Sequence, residues 1–519
     1  MIVFERVVAR MSEPSFYSPP PAAVEVRETH VSVVFLAGDR AYKVKKPVRM
    51  PFLDYSTLER RRRFCDEEVR LNQRFAPDVY LGARAVAERD GDLALAAADD
   101  PAAREYVVVM RRFDEDATLE HLVERHAADE GLAERLGTRV AELHIAAPRA
   151  PADYWTPAHV AERLDENFDT TRPEIGRLVD RVTYDAVRRF SHAFLRAHEA
   201  LLEHRIAAGM VRDVHGDLRA EHVVIEGEKL SIIDCIEFDD RLRRIDVAAD
   251  LAFLTKDLEW FGAPSLAAAV ERAYVARTRD SDLSTLLPFY SCYSAWVRAK
   301  VTAGRVRQLG QGDPARPALE ERARSLFALS HRLAWRARLP LVVVLSGVAG
   351  SGKSTLAAEL SARSGLPHVS SDHVRKELGG VNPVRRGGPE LYTPEFTTRT
   401  YRELAARVRA ALASSGGAIV DATFQRRDQR ALLHEVGARV LWVECAAPEE
   451  VLRRRGAVRE RAPERGSDAT WSVMAPQLSA REPLDEISPA DRHPLGTDRP
   501  VEASLGDLES FVSAAVDGG

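Results

Sequence analysis

Residues 347 to 354 read Gly347-Val-Ala-Gly-Ser-Gly352-Lys353-Ser354, a match to GxxxxGK[ST]. An apolar run, Leu341 to Leu345, precedes the match, and a helical pattern opens at Thr355. Glycines at these spacings let consecutive backbone N–H groups turn into one hollow, and the helix N-terminus behind them adds positive potential. Strand, loop and helix in this order commit the surrounding chain to an α/β fold with the loop at the carboxyl edge of a sheet.

The hollow suits phosphate. Gly347, Val348, Ala349, Gly350, Ser351, Gly352, Lys353, Ser354 and Thr355 are the candidate nucleotide-binding residues. Lys353 would reach the β- and γ-phosphates and serve catalysis, while the Ser354 hydroxyl would ligate Mg²⁺, so ATP and Mg²⁺ are the expected cofactors. Asp421 ends the apolar run Gly417 to Val420, where a strand would deliver it beside the phosphates as a metal ligand; the bland alternative is a turn aspartate. Asp372 follows the short run Leu366 to Ser370 and opens a helix with Arg375 one turn on; the alternative is a helix cap at Ser371 or Asp372. An accepting hydroxyl must be positioned and lose its proton, which makes Asp372 the candidate catalytic carboxylate. Arg453, Arg454, Arg455, Arg459 and Arg461 follow Ala447-Pro448 on a helical pattern, and Arg459 is the candidate to close over the nucleotide.

This run of motifs, with Ser371 to Arg375 and Val420 to Phe424, resembles the P-loop kinases related to gluconate kinase, polynucleotide kinase and chloramphenicol phosphotransferase, over most of residues 340–515. The resemblance implies that Asp372 acts on the acceptor hydroxyl and Arg375 binds substrate. Ser467 and Gln477 also resemble that group's pattern, with no role attached.

Upstream, Val24 to Lys46 reads as strand, turn and strand, Leu58 to Phe75 as a helix and Tyr106 to Met110 as a further strand. Mostly helical patterns follow, broken by short strands near Val223 and Leu230. His215-Gly-Asp217 and, after it, Ile232-Ile-Asp234 place one aspartate in a turn and another at a strand end. Kinase-type catalysis needs such a pair: Asp217 to orient the acceptor, Asp234 to hold Mg²⁺, and a polar residue five positions after the first, here His222, as a second metal ligand. Two ordinary turn aspartates are the alternative. Lys43 on its strand and Glu68 on the next helix are candidates for the phosphate-reaching lysine and its partner, with Lys45 and Glu67 as rivals.

These residues resemble the aminoglycoside phosphotransferase family from about Val24 to Leu258. The resemblance implies Asp217 as catalytic, Asp234 as metal ligand and Met110 to Phe113 as a hinge at adenine. Two departures stand out: His222 replaces the family's usual Asn, and only Gly38 stands where a glycine-rich loop would precede Lys43.

The expected fold class is therefore α/β and α+β multidomain. Its N-terminal part is a bilobal protein-kinase-like fold, a small β lobe plus a helical lobe, and its C-terminal part a P-loop NTPase parallel sheet covered by helices on both faces. Boundaries fall at a flexible arm 1–22, a kinase-like domain 23–338 and a P-loop kinase domain 339–519, with Leu339-Pro340 as the break. Met11, followed by a proline-rich stretch, rivals Met1 as the start. As a whole the chain resembles two-domain bifunctional aminoglycoside phosphotransferase and ATP-binding proteins.

A net charge of −5 makes nucleic acid a secondary partner, and four scattered cysteines without CxxC spacing predict neither zinc nor disulfides, in keeping with a cytoplasmic setting. No apolar run approaches 18 residues, so no membrane span is expected. The sequence points to an ATP-dependent phosphotransferase with two candidate sites and a small-molecule hydroxyl acceptor. The competing accounts are a nucleic-acid end kinase and a nucleotide-gated regulatory protein with a degenerate N-terminal lobe.

Overall fold

The computed structural model describes residues 3–50, 53–382, 385, 387–460 and 471–517, the side chains of Arg459 and Val473 excepted. The chain packs as two compact units, one of Met1–Val160 with Ala200–Ser294, the other of Ala161–Glu199 with Ala295–Gly519. Residues 161–199 and 295–338 pack with the second unit because Val182 and Trp335 enter the core of its sheet and Arg363 pairs with Asp180 at 3.0 Å.

In the first unit a six-stranded antiparallel sheet has the order Val24–Glu28, Ser32–Ala37, Arg40–Lys45, Ala103–Arg111, Tyr80–Arg89, Asp92–Ala96. Alternation along the strand Ala103–Arg111 assigns its two faces. Val107 and Val109 join a cluster with Phe35 and Val44, while Tyr106 and Val108 pack with Cys65 of the helix Leu58–Asn72. Thr57 caps that helix by accepting the Arg60 N–H.

The N-terminal arm expected to be loose is instead the helix Val3–Met11. Val7 and Met11 are fully buried with Phe16 and Tyr17 against the sheet, Glu5 is exposed, and half-buried Arg10 pairs with Asp92 of the strand Asp92–Ala96 at 2.9 Å. Helices Glu130–Ala146, Val247–Trp260 and Pro264–Thr278 and the hairpin Val223–Glu226/Lys229–Ile232 belong to this unit's second part.

In the second unit five parallel strands have the order His368–Ser370, Gly417–Ala422, Leu341–Ser346, Arg439–Ala446, Arg492–Gly496. The central strand is buried on both faces: Val343 and Leu345 meet Leu356, Leu505 and Leu508, whereas Val342 and Val344 meet Leu404 and Val408. Helices on both sides of a parallel sheet require such a continuous apolar run. Among the described residues no helix is long and apolar enough to cross a membrane.

Glu509, fully buried on the helix Val501–Val516, accepts from His331 Nε2 at 2.8 Å and Trp335 Nε1 at 2.9 Å, both on the helix Arg316–Arg336. Burial disfavours its charge, but His331 and Arg338 outweigh burial and hold its pKa below the ordinary value. A depressed carboxyl pKa gives stability that is present above the unfolded value of 4.5 and lost as pH falls through the folded value. Glu509→Gln should therefore lower the unfolding free energy measured by urea titration at pH 7 by about 1–3 kcal/mol and flatten the acid side of its pH dependence. An unchanged acid limb in circular dichroism would show that the pair does not govern it.

Candidate active sites

Two residues apart on one strand, Lys43 and Lys45 leave the same face of the sheet. Glu68 meets both: Lys43 Nζ lies 2.9 Å from Oε1 and Lys45 Nζ 2.6 Å from Oε2. Lys43 also reaches Asp234 Oδ1 at 2.8 Å, while Lys45 is bound to Glu237, whose Oε1 accepts from Tyr55 OH. Glu67 pairs with Arg70 and Arg243 instead. The structure thus joins Lys43, Glu68 and Asp234. Lys43 holds the Asp234 carboxyl far below the carboxylate range, against its burial. Burial also works against the Lys43 ammonium, but Asp234 and Glu68 raise its pKa well above the ordinary value.

The loop carrying Asp217 is fixed from below. Gly216 has φ of +84°, and a Cβ there would lie 2.7 Å from the Leu242 carbonyl, so only glycine fits. Asp250, buried, accepts the N–H groups of His215 at 3.1 Å and Gly216 at 2.8 Å, and His144 Nε2 contacts it at 3.1 Å. Asp217 Oδ2 accepts from Arg219 Nε at 2.9 Å. His222 Nδ1 lies 2.8 Å from the Asp217 carbonyl, which assigns the proton to Nδ1, and Arg219 Nη2 lies 3.0 Å from Nε2. Nε2 is also 3.7 Å from Asp234 Oδ2. Burial, then Arg219, lowers the His222 pKa to about 4, so the ring is neutral at pH 7. A neutral nitrogen beside a carboxylate can accompany it as a metal ligand, although imidazole suits Mg²⁺ less well than oxygen.

In the second unit the loop leaves the central strand through Gly347, at φ +148°, where a Cβ would lie 2.4 Å from the Cys445 carbonyl. Gly352 is left-handed and precedes the helix Lys353–Ser364. Arg455 donates to the Gly350 carbonyl at 3.1 Å and Thr497 to the Ser351 carbonyl at 2.6 Å, so neighbouring elements hold the loop. Register pairs Leu345 with Asp421, which brings Asp421 to the carboxyl end of the sheet beside the loop.

Asp421 Oδ2 is buried without a hydrogen-bond partner, and Oδ1 lies 3.5 Å from His368 Nε2. Burial disfavours its charge, yet His368, Lys353 and Ser354 outweigh it and lower its pKa. An ionised, orphaned oxygen near the Ser354 hydroxyl is the donor set a hard cation prefers, so Ser354 and Asp421 fit Mg²⁺. A cavity of about 300 Å³ joins Lys353, Ser354, Asp372, Arg375, Asp421 and Gln477. Asp372 does not cap its helix, since Ser370 is at the N-cap, and its Oδ2 accepts from Lys376 Nζ at 2.8 Å. Arg375 donates to the Leu391 carbonyl and to Thr397 Oγ1 at 3.2 Å, with its guanidinium 4.8 Å from the Tyr392 ring centre.

Sequence reasoning missed Arg219, Lys376, and Tyr401 with Thr423, whose hydroxyls are 3.0 Å apart at the cavity wall. The acid and base at Asp372 and Lys376, four apart on a helix, were a readable signal; the tyrosine contact had none. Of the arginines, Arg453 pairs with Glu449. The Arg459 side chain, Arg461 and Ser467 lie outside the described residues.

The Phosphotransferase enzyme family model matches residues 40–283 and the AAA domain model residues 342–484. Uncharacterized protein Rv2004c of Mycobacterium tuberculosis is 32% identical over 507 residues, covering 95% of this chain and 96% of that protein. The chain belongs to this two-domain family. A shikimate kinase of Salinibacter ruber is 31% identical over 197 residues, 34% of this chain and 86% of that enzyme. Among solved structures, a choline/ethanolamine kinase family protein from Mesorhizobium loti aligns with TM-score 0.38 and 13% identity, covering 64% of this chain and 99% of that one. A gluconokinase from Sinorhizobium meliloti aligns with TM-score 0.27 and 20% identity, covering 35% and 96%. The kinase-family domains make the chain a phosphotransferase, with a kinase-like N-terminal fold and a C-terminal P-loop sheet.

Because Gly347 combines a left-handed-side φ with contact against the Cys445 carbonyl, Gly347→Ala should destabilise the second unit by about 1–3 kcal/mol and deform the loop. A fall in the thermal midpoint together with loss of ATP binding in calorimetry is expected. An unaltered midpoint would mean that the loop relaxes without cost.

Proposed function

We propose that this phosphotransferase is an ATP-dependent kinase for small-molecule hydroxyl acceptors, with one phosphoryl-transfer site in each domain. What carries the reading is the single cavity joining the phosphate loop, the metal-type carboxylate Asp421 and the acceptor-side pair Asp372 and Arg375. Lys353 and Arg375 are the cations among its lining residues, which suits a small acceptor better than the basic groove an oligonucleotide would need.

In the C-terminal site the loop N–H groups and Lys353 hold the phosphates in line with the acceptor. Mg²⁺, held by Ser354 and Asp421, would neutralise charge on the phosphates. Arg375 orients the acceptor, and Asp372 takes its hydroxyl proton. The acceptor oxygen forms a bond to the γ-phosphorus as the bond to the bridging oxygen breaks, and ADP leaves with that electron pair. Acquiring the proton requires Asp372 to let go of Lys376, a rearrangement that acceptor binding would drive.

In the N-terminal site Lys43, anchored by Glu68, would bind the phosphates, Asp234 and His222 would hold the metal, and Asp217 would orient the acceptor. Arg219 on Asp217 favours a second reading for this domain alone: it binds ATP and signals without an acceptor. A γ-labelled ATP screen over metabolite pools separates these accounts. Lys353→Ala should remove one set of labelled products by more than 100-fold and Asp217→Ala another. Full labelling by Lys353→Ala overturns the C-terminal assignment, and labelling unaltered by Asp217→Ala, with altered ATP affinity, leaves the N-terminal domain as a regulator.

A further inference from the structure

Gln477 sits where the phosphate loop meets the acceptor cavity. Its Oε1 accepts the backbone N–H of Ala349, inside the loop, at 2.8 Å. The helix that carries it, Trp471–Ser479, is pinned to the same loop by Met474, which is fully buried against Val348 and Leu452. Gln477, Ala349, Lys353 and Asp372 then line one cavity. A carboxamide anchored through its oxygen has one remaining function, the Nε2 amino group, which only donates.

We infer that Gln477 is a catalytic residue of the C-terminal site, its Nε2 donating to an oxygen of the γ-phosphoryl group as that group passes to the acceptor. The inference rests on the phosphotransfer reading of this cavity. Charge spreads over the equatorial oxygens of the transferring group, and a preorganised donor stabilises that arrangement more than the ground state. A neutral amide does this without pairing permanently with Asp372 or attracting ADP after transfer, tasks at which another lysine or arginine would interfere. The loop anchor supplies the preorganisation: Oε1 on Ala349 fixes the plane of the amide, and Met474 fixes the helix beneath it. Gln477 makes no bond and takes no proton, so the balance of the reaction is unchanged.

The test uses the full chain and two probes, Mg·ADP and Mg·ADP with aluminium fluoride, which imitates the phosphoryl group in transit. Background binding at the N-terminal site is read in Lys353→Ala and subtracted. Gln477→Leu removes both amide functions at similar size, and Gln477→Glu keeps an acceptor for Ala349 while removing the donor. Both variants should lose affinity for the fluoroaluminate complex on the order of 100-fold more than for Mg·ADP. An equal loss for both probes in Gln477→Leu would make Gln477 a clamp of the loop and overturn the inference. So would a wild-type preference for fluoroaluminate retained in Gln477→Glu. If the wild type and Lys353→Ala bind Mg·ADP alike, the phosphate-loop reading itself fails, a result distinct from either.

Discussion

A carboxylate taken out of water must be matched by cations or donors, because its desolvation costs several kcal/mol. Both sites are built on that requirement. Glu68 is fully buried and spends one oxygen on each of two lysines, which fixes the strand Arg40–Lys45 against the helix Leu58–Asn72 and leaves Lys43 in reach of Asp234. Asp250, equally buried, is satisfied by two loop N–H groups and a histidine, and so dictates where Asp217 begins. Asp421 differs from these two: its Oδ2 is buried without a hydrogen-bond partner, as Glu509 Oε2 also is. Such an oxygen is tolerable beside Lys353 and His368, and it is the position where a divalent cation would be held.

How far the sequence could be read follows from the range of the contacts concerned. The phosphate loop was legible because its constraints are local: glycines at fixed spacing, a lysine, a hydroxyl and a strand before them. The fold class, a kinase-like unit followed by a covered parallel sheet, was legible too, from the change of pattern at Leu341 and the paired aspartates upstream. Lys43 against Lys45 was not decidable, since both leave one face; only the position of Glu237 gives Lys45 its own buried partner. Glu67 against Glu68 is a matter of 100° around one helix, settled by where Arg243 and the lysines lie.

The strands Tyr80–Arg89 and Asp92–Ala96 escaped notice because alanines and arginines interrupt their apolar alternation, and pairing with Ala103–Arg111 overrides that weak pattern. The N-terminal helix was misread for another reason. Glu5, Arg6 and Arg10 interrupt the apolar residues here, but Phe4, Val7, Val8 and Met11 keep helical spacing on one side. Charges that break up an apolar run are what an amphipathic surface helix requires.

The two sites differ most at the residue accompanying the metal-type aspartate, a serine in one and His222 in the other. With a pKa of about 4, His222 adds no charge beside Asp234 at neutral pH. Its Nδ1–H holds the Asp217 carbonyl, a bond that an asparagine amide could also make, and its Nε2 lone pair lies on the side of Asp234. The imidazole therefore keeps the loop contact and presents a softer ligand where an amide oxygen would present a hard one. Arg219 touches Nε2 and Asp217 Oδ2 together, so ligation of a metal by this ring and release of the Asp217 carboxylate would be a single event, the departure of one guanidinium. Were the N-terminal unit to transfer a phosphoryl group, Arg219 would have to leave Asp217 Oδ2, just as Lys376 would have to leave Asp372 Oδ2 in the C-terminal cavity.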